Sequence, residues 1–136
     1  MSIPRQTLSK ADRLKSHKRI RLLFAEGQKL KVQSILVYYQ LQQVEVNNLF
    51  QLQMGVSVGA RYFKKAVDRN LVKRRIREAY RLNNIEIKQA LKQRKMGMDI
   101  FFVYTASEVL LYKQIELSVL KVLQQLTEKV NQISNS

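Results

Sequence analysis

The chain has 136 residues, about the length of one domain, and its 46% hydrophobic content can supply a core, so a single domain spanning 1–136 is expected. Its 25 Lys and Arg against 10 Asp and Glu leave a formal charge of +15, far more than solubility requires, and a polyanionic partner is the first explanation. Cysteine is absent, which excludes disulfides, thiolate chemistry and Cys-ligated zinc, and the opening "MSIPRQTLSK" has no apolar run of a secretory signal; a cytoplasmic protein without membrane association is expected.

Residues 1–11, which include the only proline, Pro4, read as a flexible start. "SHKRIRLLFAEG" then predicts a short amphipathic helix over 16–26, with Ser16 as N-cap, Ile20, Leu23 and Phe24 at i, i+3, i+4, and Gly27 as the stop. "SILVYYQL", residues 34–41, is β-branched and aromatic and too short for a helix, so it reads as a strand. In "FQLQMGVSV", Phe50, Leu52, Met54, Val56 and Val58 alternate with Gln51, Gln53, Gly55 and Ser57, the pattern of a half-buried strand; the preceding "VEVNNL" supplies an Asn-Asn turn for a hairpin. A basic helix is expected from 62 or 65 to 82, ending near Asn83 and Asn84, and a weaker one over 85–95, broken by Gly97. "MDIFFVYTA" predicts a buried strand, and Ile115, Val119, Val122, Leu126 and Val130 mark an amphipathic C-terminal helix with a frayed tail over 131–136. The order α-β-β-β-α-β-α places the chain in the α+β class, with helices on a small, mainly antiparallel sheet.

Eighteen of the 25 cations fall in two blocks, residues 5–31 and 61–81, and residues 32–60 hold none. At about 100° per residue, Arg69, Asn70, Lys73, Arg74, Arg77 and Arg81 share an arc of roughly 140°, while Val72, Ile76 and Ala79 occupy a separate one. Arg75 and Leu71 lie off both arcs, and Tyr80 falls near an edge of the cationic one. Like charges at Arg69/Lys73, Lys73/Arg77 and Arg77/Arg81 repel at i,i+4 unless an anion relieves them, which favours a binding surface over a merely solvated charged face. Arginine forks favour phosphate, and a membrane-surface helix would carry large apolar residues opposite its charges; nucleic acid fits better.

No catalytic constellation is visible. One histidine and ten scattered acids, without a DxD or ExxH-like cluster, offer neither catalytic nor metal-ligating residues. His17 reads as an exposed helix residue or phosphate contact, Phe24 and Tyr38 equally as core residues or stacking platforms, and Tyr62 and Phe63 as anchors of the basic helix's start.

"KKAVDRNLVKRRIREAYR" resembles the signature of the bacterial ribonuclease P protein family: an Ala-Val pair, an Arg-Asn pair, a Lys-Arg pair and a further Arg. "RLKSHKRIRLLFAEGQKL" is similar to that family's first helix and following Gly, "MGVSVG" precedes the basic segment as expected, and the resemblance spans about residues 12–128. It implies a sheet with helices in which a left-handed βαβ crossover presents the basic helix. It also implies a subunit that binds the catalytic ribonuclease P RNA and the 5′ leader of precursor tRNA, one protein copy per RNA, assisting hydrolysis performed by the RNA. Magnesium would be held by RNA and substrate, not by a protein site. By position, Arg69, Asn70, Lys73, Arg74 and Arg77 would contact the RNA, with Arg61, Lys64, Lys65 and Arg81 extending the surface. Ile20, Phe24 and Tyr38 would line the leader cleft, with Arg13, Lys15 and His17 at its rim.

This sequence departs from the family pattern at three places. Leu71 stands where many members have a second Arg, "GARYFKKAV" is one residue longer than usual, and Ile20 replaces a frequent aromatic. The alternative reading is a structural, ribosome-associated RNA-binding protein with no role in cleavage. On the sequence alone, alanine at Arg69, Lys73 and Arg74 together is expected to weaken binding to the catalytic RNA at physiological salt with little loss of folding stability.

Overall fold

In the computed structural model, which describes residues 12–43, 51–59, 61 and 63–133, four strands form one mixed sheet with helices on both faces. In chain order the elements are α1 (His17–Glu26), β1 (Gln28–Val32), β2 (Ile35–Gln43), β3 (Leu52–Val58), α2 (Ala66–Asn83), α3 (Ile85–Gln93), β4 (Met96–Tyr104) and α4 (Tyr112–Asn131). The strand order is β1-β2-β4-β3; β1 with β2 and β2 with β4 are antiparallel, and β3 with β4 is parallel. The connection from β3 to its parallel neighbour β4 runs through α2 and α3.

The first helix forms where its end signals place it. The Ser16 hydroxyl accepts from the Arg19 N–H at 3.3 Å, and the Gly27 N–H donates to the Leu23 carbonyl at 2.8 Å. Gly27 is needed for space: a Cβ there would lie 2.5 Å from the Leu23 carbonyl oxygen. At the other end of the fold, α3 stops at Gln93 through a turn with Lys95 at φ 55°, and Gly97, expected to break the helix, is already inside β4. Asn131 and Ile133, which the sequence assigns to the frayed tail, accept hydrogen bonds from the Arg94 guanidinium.

The expected hairpin between the second and third strands does not form. Its Asn-Asn turn lies outside the described residues, but β4 stands between β2 and β3 and pairs with both. The physical reason is burial on two faces. Met98, Ile100, Phe102 and Tyr104 of β4 point one way and Phe101 the other, all 8% exposed or less, so this strand belongs at the sheet's centre. The alternating β3, with one polar face, belongs at the edge, where residues 13 and 14 cover it: Arg13 bridges Met54 and the Leu14 N–H donates to the Met54 carbonyl at 2.8 Å.

One sheet face carries the main core. Val37, Met54, Ile100 and Phe102 meet Val72, Ile76 and Ala79 of α2 and the apolar stripes of α3 and α4. Tyr80, placed by helical angle near the edge of the cationic arc, is instead wholly buried, its ring edge-on to Phe102 at 6.1 Å. It sits one turn beyond Ile76 on the docking row, and burial raises the pKa of its phenol. The opposite sheet face carries a smaller cluster, Leu14, Leu23 and Phe101, with Ile20, Tyr38 and Val103 packed against it.

Gly55 and Phe101 are register partners on that second face, and a Cβ at position 55 would come within 2.6 Å of the Phe101 ring. Gly55→Ala is therefore expected to lower stability by about 1–3 kcal/mol through overpacking, read as a drop in urea midpoint, and to weaken the Phe24–Phe101 ring contact.

Candidate nucleic-acid interface

The docking face of α2 is the one helical periodicity predicts: Val72, Ile76 and Ala79 are all 0% exposed. The cationic face is less uniform than the helical arc suggests, because the structure assigns some of its charges to internal partners. Arg69 turns back at the start of the helix and its Nη1 donates to the carbonyls of Phe63 at 2.6 Å and Lys64 at 3.1 Å. Lys65, the N-cap residue, supplies no side-chain cap, so the Arg69 guanidinium does the work of holding the preceding loop. Phe63 anchors the same loop by burial against Tyr104, as its sequence position suggests; Tyr62 lies outside the described residues. At the far end, Arg81 is paired through Nε and Nη2 with both carboxylate oxygens of Glu78, the first cause of its raised pKa. Arg75, off the arc, donates to the Leu110 carbonyl.

Between these tethered ends lie Asn70 and Arg74, both exposed, with Lys73 and Arg77 half-buried beside them. Arg61, Lys64 and Lys65 extend the surface through the exposed loop ahead of the helix. The pKa of Arg77 is lowered, first by burial and then by the positive charge of Arg13. Arg13, bridged to Met54 on the strand edge, thus brings its charge within electrostatic reach of α2, whereas Lys15 and His17 stand exposed ahead of and at the start of α1.

Three residues the sequence marks for a cleft come together on the second sheet face. Phe24 of α1, 40% exposed, meets Tyr38 of β2 edge-on at 4.6 Å, and Ile20 packs into the same cluster. The sequence reading misses the residue between them: Phe101 pairs across strands with Tyr38 and stands 5.1 Å from Phe24. The Lys29 ammonium lies over the Tyr38 ring, 5.4 Å from its centroid. An exposed aromatic edge, a ring floor and a flanking cation make a surface on which an unpaired base can stack beside its phosphate.

It also misses the polar group under α1. Arg19 donates through Nε and Nη2 to the carboxylate of Asp99, through Nη1 to Gln53 Oε1 at 2.8 Å, and through Nη2 to Gln42 Oε1 at 3.4 Å. Gln42 Nε2 in turn donates to Asp99 Oδ2 at 2.9 Å. The one available signal is Asp99 itself, a lone acid in an apolar strand; it is 2% exposed.

Among the described residues no three His, Cys, Asp or Glu side chains gather into a metal-binding group, and the Asp99 carboxylate is already engaged by Arg19 and Gln42. Nor, among the described residues, is any helix long and apolar enough to cross a membrane.

The tether at Arg69 revises the triple-alanine expectation. Arg69→Ala should lower stability by about 1–2 kcal/mol through the lost charge-assisted bonds. Lys73→Ala with Arg74→Ala should stay within roughly 0.5 kcal/mol per site, as for surface changes. Urea unfolding beside RNA titration separates them, because both sets should weaken RNA binding but only the first should shift the unfolding midpoint.

Comparison with known proteins places these surfaces in a family. A family model described as Ribonuclease P matches residues 8–127. The ribonuclease P protein component of Porphyromonas gingivalis is 34% identical over 122 residues, covering 90% of this chain and 88% of that one. That of Clostridium botulinum is 30% identical over 115 residues, covering 84% and 93%. Among solved structures, the RNase P protein from Thermotoga maritima matches with a TM-score of 0.63 at 24% identity, over 83% of this chain and 96% of that one. The Staphylococcus aureus RNase P protein matches with a TM-score of 0.63 at 23% identity, over 85% and 95%; these two likenesses speak for the fold. With the family model spanning most of its length and relatives above 30% identity along nearly all of it, the chain belongs to the ribonuclease P protein component family.

Proposed function

We propose that the chain serves as the protein subunit of ribonuclease P in the removal of the 5′ leader from precursor tRNA, with α2 bound to the catalytic RNA and the leader in the cleft between α1 and the sheet. The observation that supports this best is how the two surfaces are joined. Arg13 is near enough to Arg77 of the cationic helix for its charge to lower that residue's pKa, while its neighbour Leu14 is buried in the cluster that forms the aromatic cleft. One short segment therefore carries a phosphate-binding surface directly into a base-stacking one, the order in which a folded RNA and a single-stranded extension would meet the protein.

The chain's own contribution is binding and positioning. Phosphates held by Lys73, Arg74 and Arg77 release counterions, and a leader stacked on Phe24 and Tyr38 is held in one register relative to the RNA. Hydrolysis falls to the RNA, where magnesium held by RNA and substrate, and not by residues of this chain, would supply the Lewis-acid chemistry. One protein copy per RNA and a cytoplasmic setting, where that RNA and its precursors are found together, complete the reading.

Reconstitution tests it. Adding the protein to ribonuclease P RNA and a leader-bearing precursor tRNA at low magnesium should stimulate cleavage, and the protein alone should cleave nothing; absence of stimulation would refute the reading. If Arg61, Lys64, Lys65, Lys73, Arg74 and Arg77 all engage phosphates, the logarithm of the RNA binding constant should fall against the logarithm of salt with a slope of roughly −4 to −5.

A further inference from the structure

We infer that the Arg19–Asp99 pair is the positioning device of the cleft: it fixes the rotation of α1 about its axis and so sets where Phe24 and Ile20 stand over Tyr38 and Phe101. The inference rests on the reading of the cleft as the leader's seat.

Apart from the ring contacts of Phe24, the helix is held by few side chains. It is ten residues long and buries one side chain fully, Leu23, while its neighbours Leu22 and Phe24 are 42% and 40% exposed. An apolar contact of that kind holds a helix down without fixing its rotation, because dispersion and burial are nearly indifferent to small turns. Arg19 supplies the direction that is missing. Its planar fork reaches three strands at once, Gln42 on β2, Gln53 on β3 and Asp99 on β4, and Gln42 closes the ring back onto Asp99. Arg19 and Leu23 are i,i+4 partners on one row of the helix, and Ile20 and Phe24 form the adjacent row. Locking the first row therefore determines the second.

The pair is poorly explained as anything else. Cations outnumber acids 25 to 10 in this chain, yet this guanidinium is matched to a carboxylate whose side chain is 3% exposed. Every nitrogen of Arg19 donates to a protein acceptor, so it is not presented as a phosphate contact. As a contributor to stability alone, a buried pair is no better than well-packed hydrophobic residues of similar volume, whereas its directional bonds specify one arrangement.

The test uses the reconstituted holoenzyme and compares affinity for leader-bearing precursor with that for the same tRNA lacking a leader. The double variant Arg19→Met with Asp99→Leu removes both charges together, leaving neither uncompensated, and should keep the melting temperature and binding to the catalytic RNA close to those of the parent. Its preference for the leader-bearing substrate should fall roughly fivefold or more, the low end of what one stacked base is worth. Arg19→Lys, which keeps the ion pair but loses the fork, should lie between the two.

An undiminished leader preference in the double variant, alongside a loss of preference in Phe24→Ala, overturns the positioning role and leaves the cleft reading standing. Leader preference unaffected by Phe24→Ala and Tyr38→Ala overturns the cleft reading itself. Loss of leader preference only in proportion to lost RNA binding or a lowered melting temperature marks a general structural role and also overturns the inference.

Discussion

A central strand apolar on both faces is the constraint on which the rest of this protein rests. Ile100 and Phe102 of β4 close the main core beneath α2, α3 and α4; Phe101, between them in sequence, closes the smaller cluster beneath α1. Because successive strand residues point to opposite faces, the helix that bears the cationic surface and the helix that walls the aromatic cleft are seated on neighbouring residues of one strand. Their relative position is thus set by a few ångströms of the most buried backbone in the fold. The antiparallel and parallel pairings of β4 add to this, since Tyr38 and Gly55 flank Phe101 in register.

Concentrating like charge on α2 creates a problem that the structure meets at the ends of the helix. Arg69 is turned back to the carbonyls of Phe63 and Lys64, which partly offset its charge, and Arg81 is neutralised by Glu78, so two of the three i,i+4 repulsions are eased. What stays outward is the middle of the helix, Asn70 and Arg74, with Lys73 and Arg77 half-buried beside them. The departure at Leu71 fits the same division, for that position is neither on the docking row nor part of the free cationic stretch. The longer approach "GARYFKKAV" is likewise accommodated: Phe63 is buried, Arg69 fastens the backbone, and Lys64 and Lys65 remain exposed.

Local signals made much of this legible. Ser16 and Gly27 bound α1, and the Val72, Ile76 and Ala79 row gave the docking face, because caps and 3.6-residue periodicity are written within a few residues of one another. Strand pairing was not written locally. The alternation around Met54 gives a strand, but whether it meets β2 or β4 depends on a partner more than forty residues away, and the nearer partner was the wrong one. Tyr80 shows a finer failure, where an arc boundary drawn from ideal geometry cut through the docking row. The gathering of Ile20, Phe24 and Tyr38 came from family resemblance, and Phe101, Arg19 and Asp99 went unseen. A single aromatic in "MDIFFVY" looks like core whichever face it takes, and a lone acid carries no periodicity at all.

The nearness of Arg13 to Arg77 connects these points. A guanidinium partly out of water within reach of a second positive charge is unfavourable in the free protein, and the pKa of Arg77 is lowered first by its burial and then by the charge of Arg13. The fold retains the arrangement because Arg13 is held by backbone pairing to Met54 on the edge of β3, and Arg77 by a helix whose opposite face is packed against the core. An anion from outside would relieve that repulsion, so the packing that seats the aromatic cleft also holds neighbouring cations where a phosphate would be favoured.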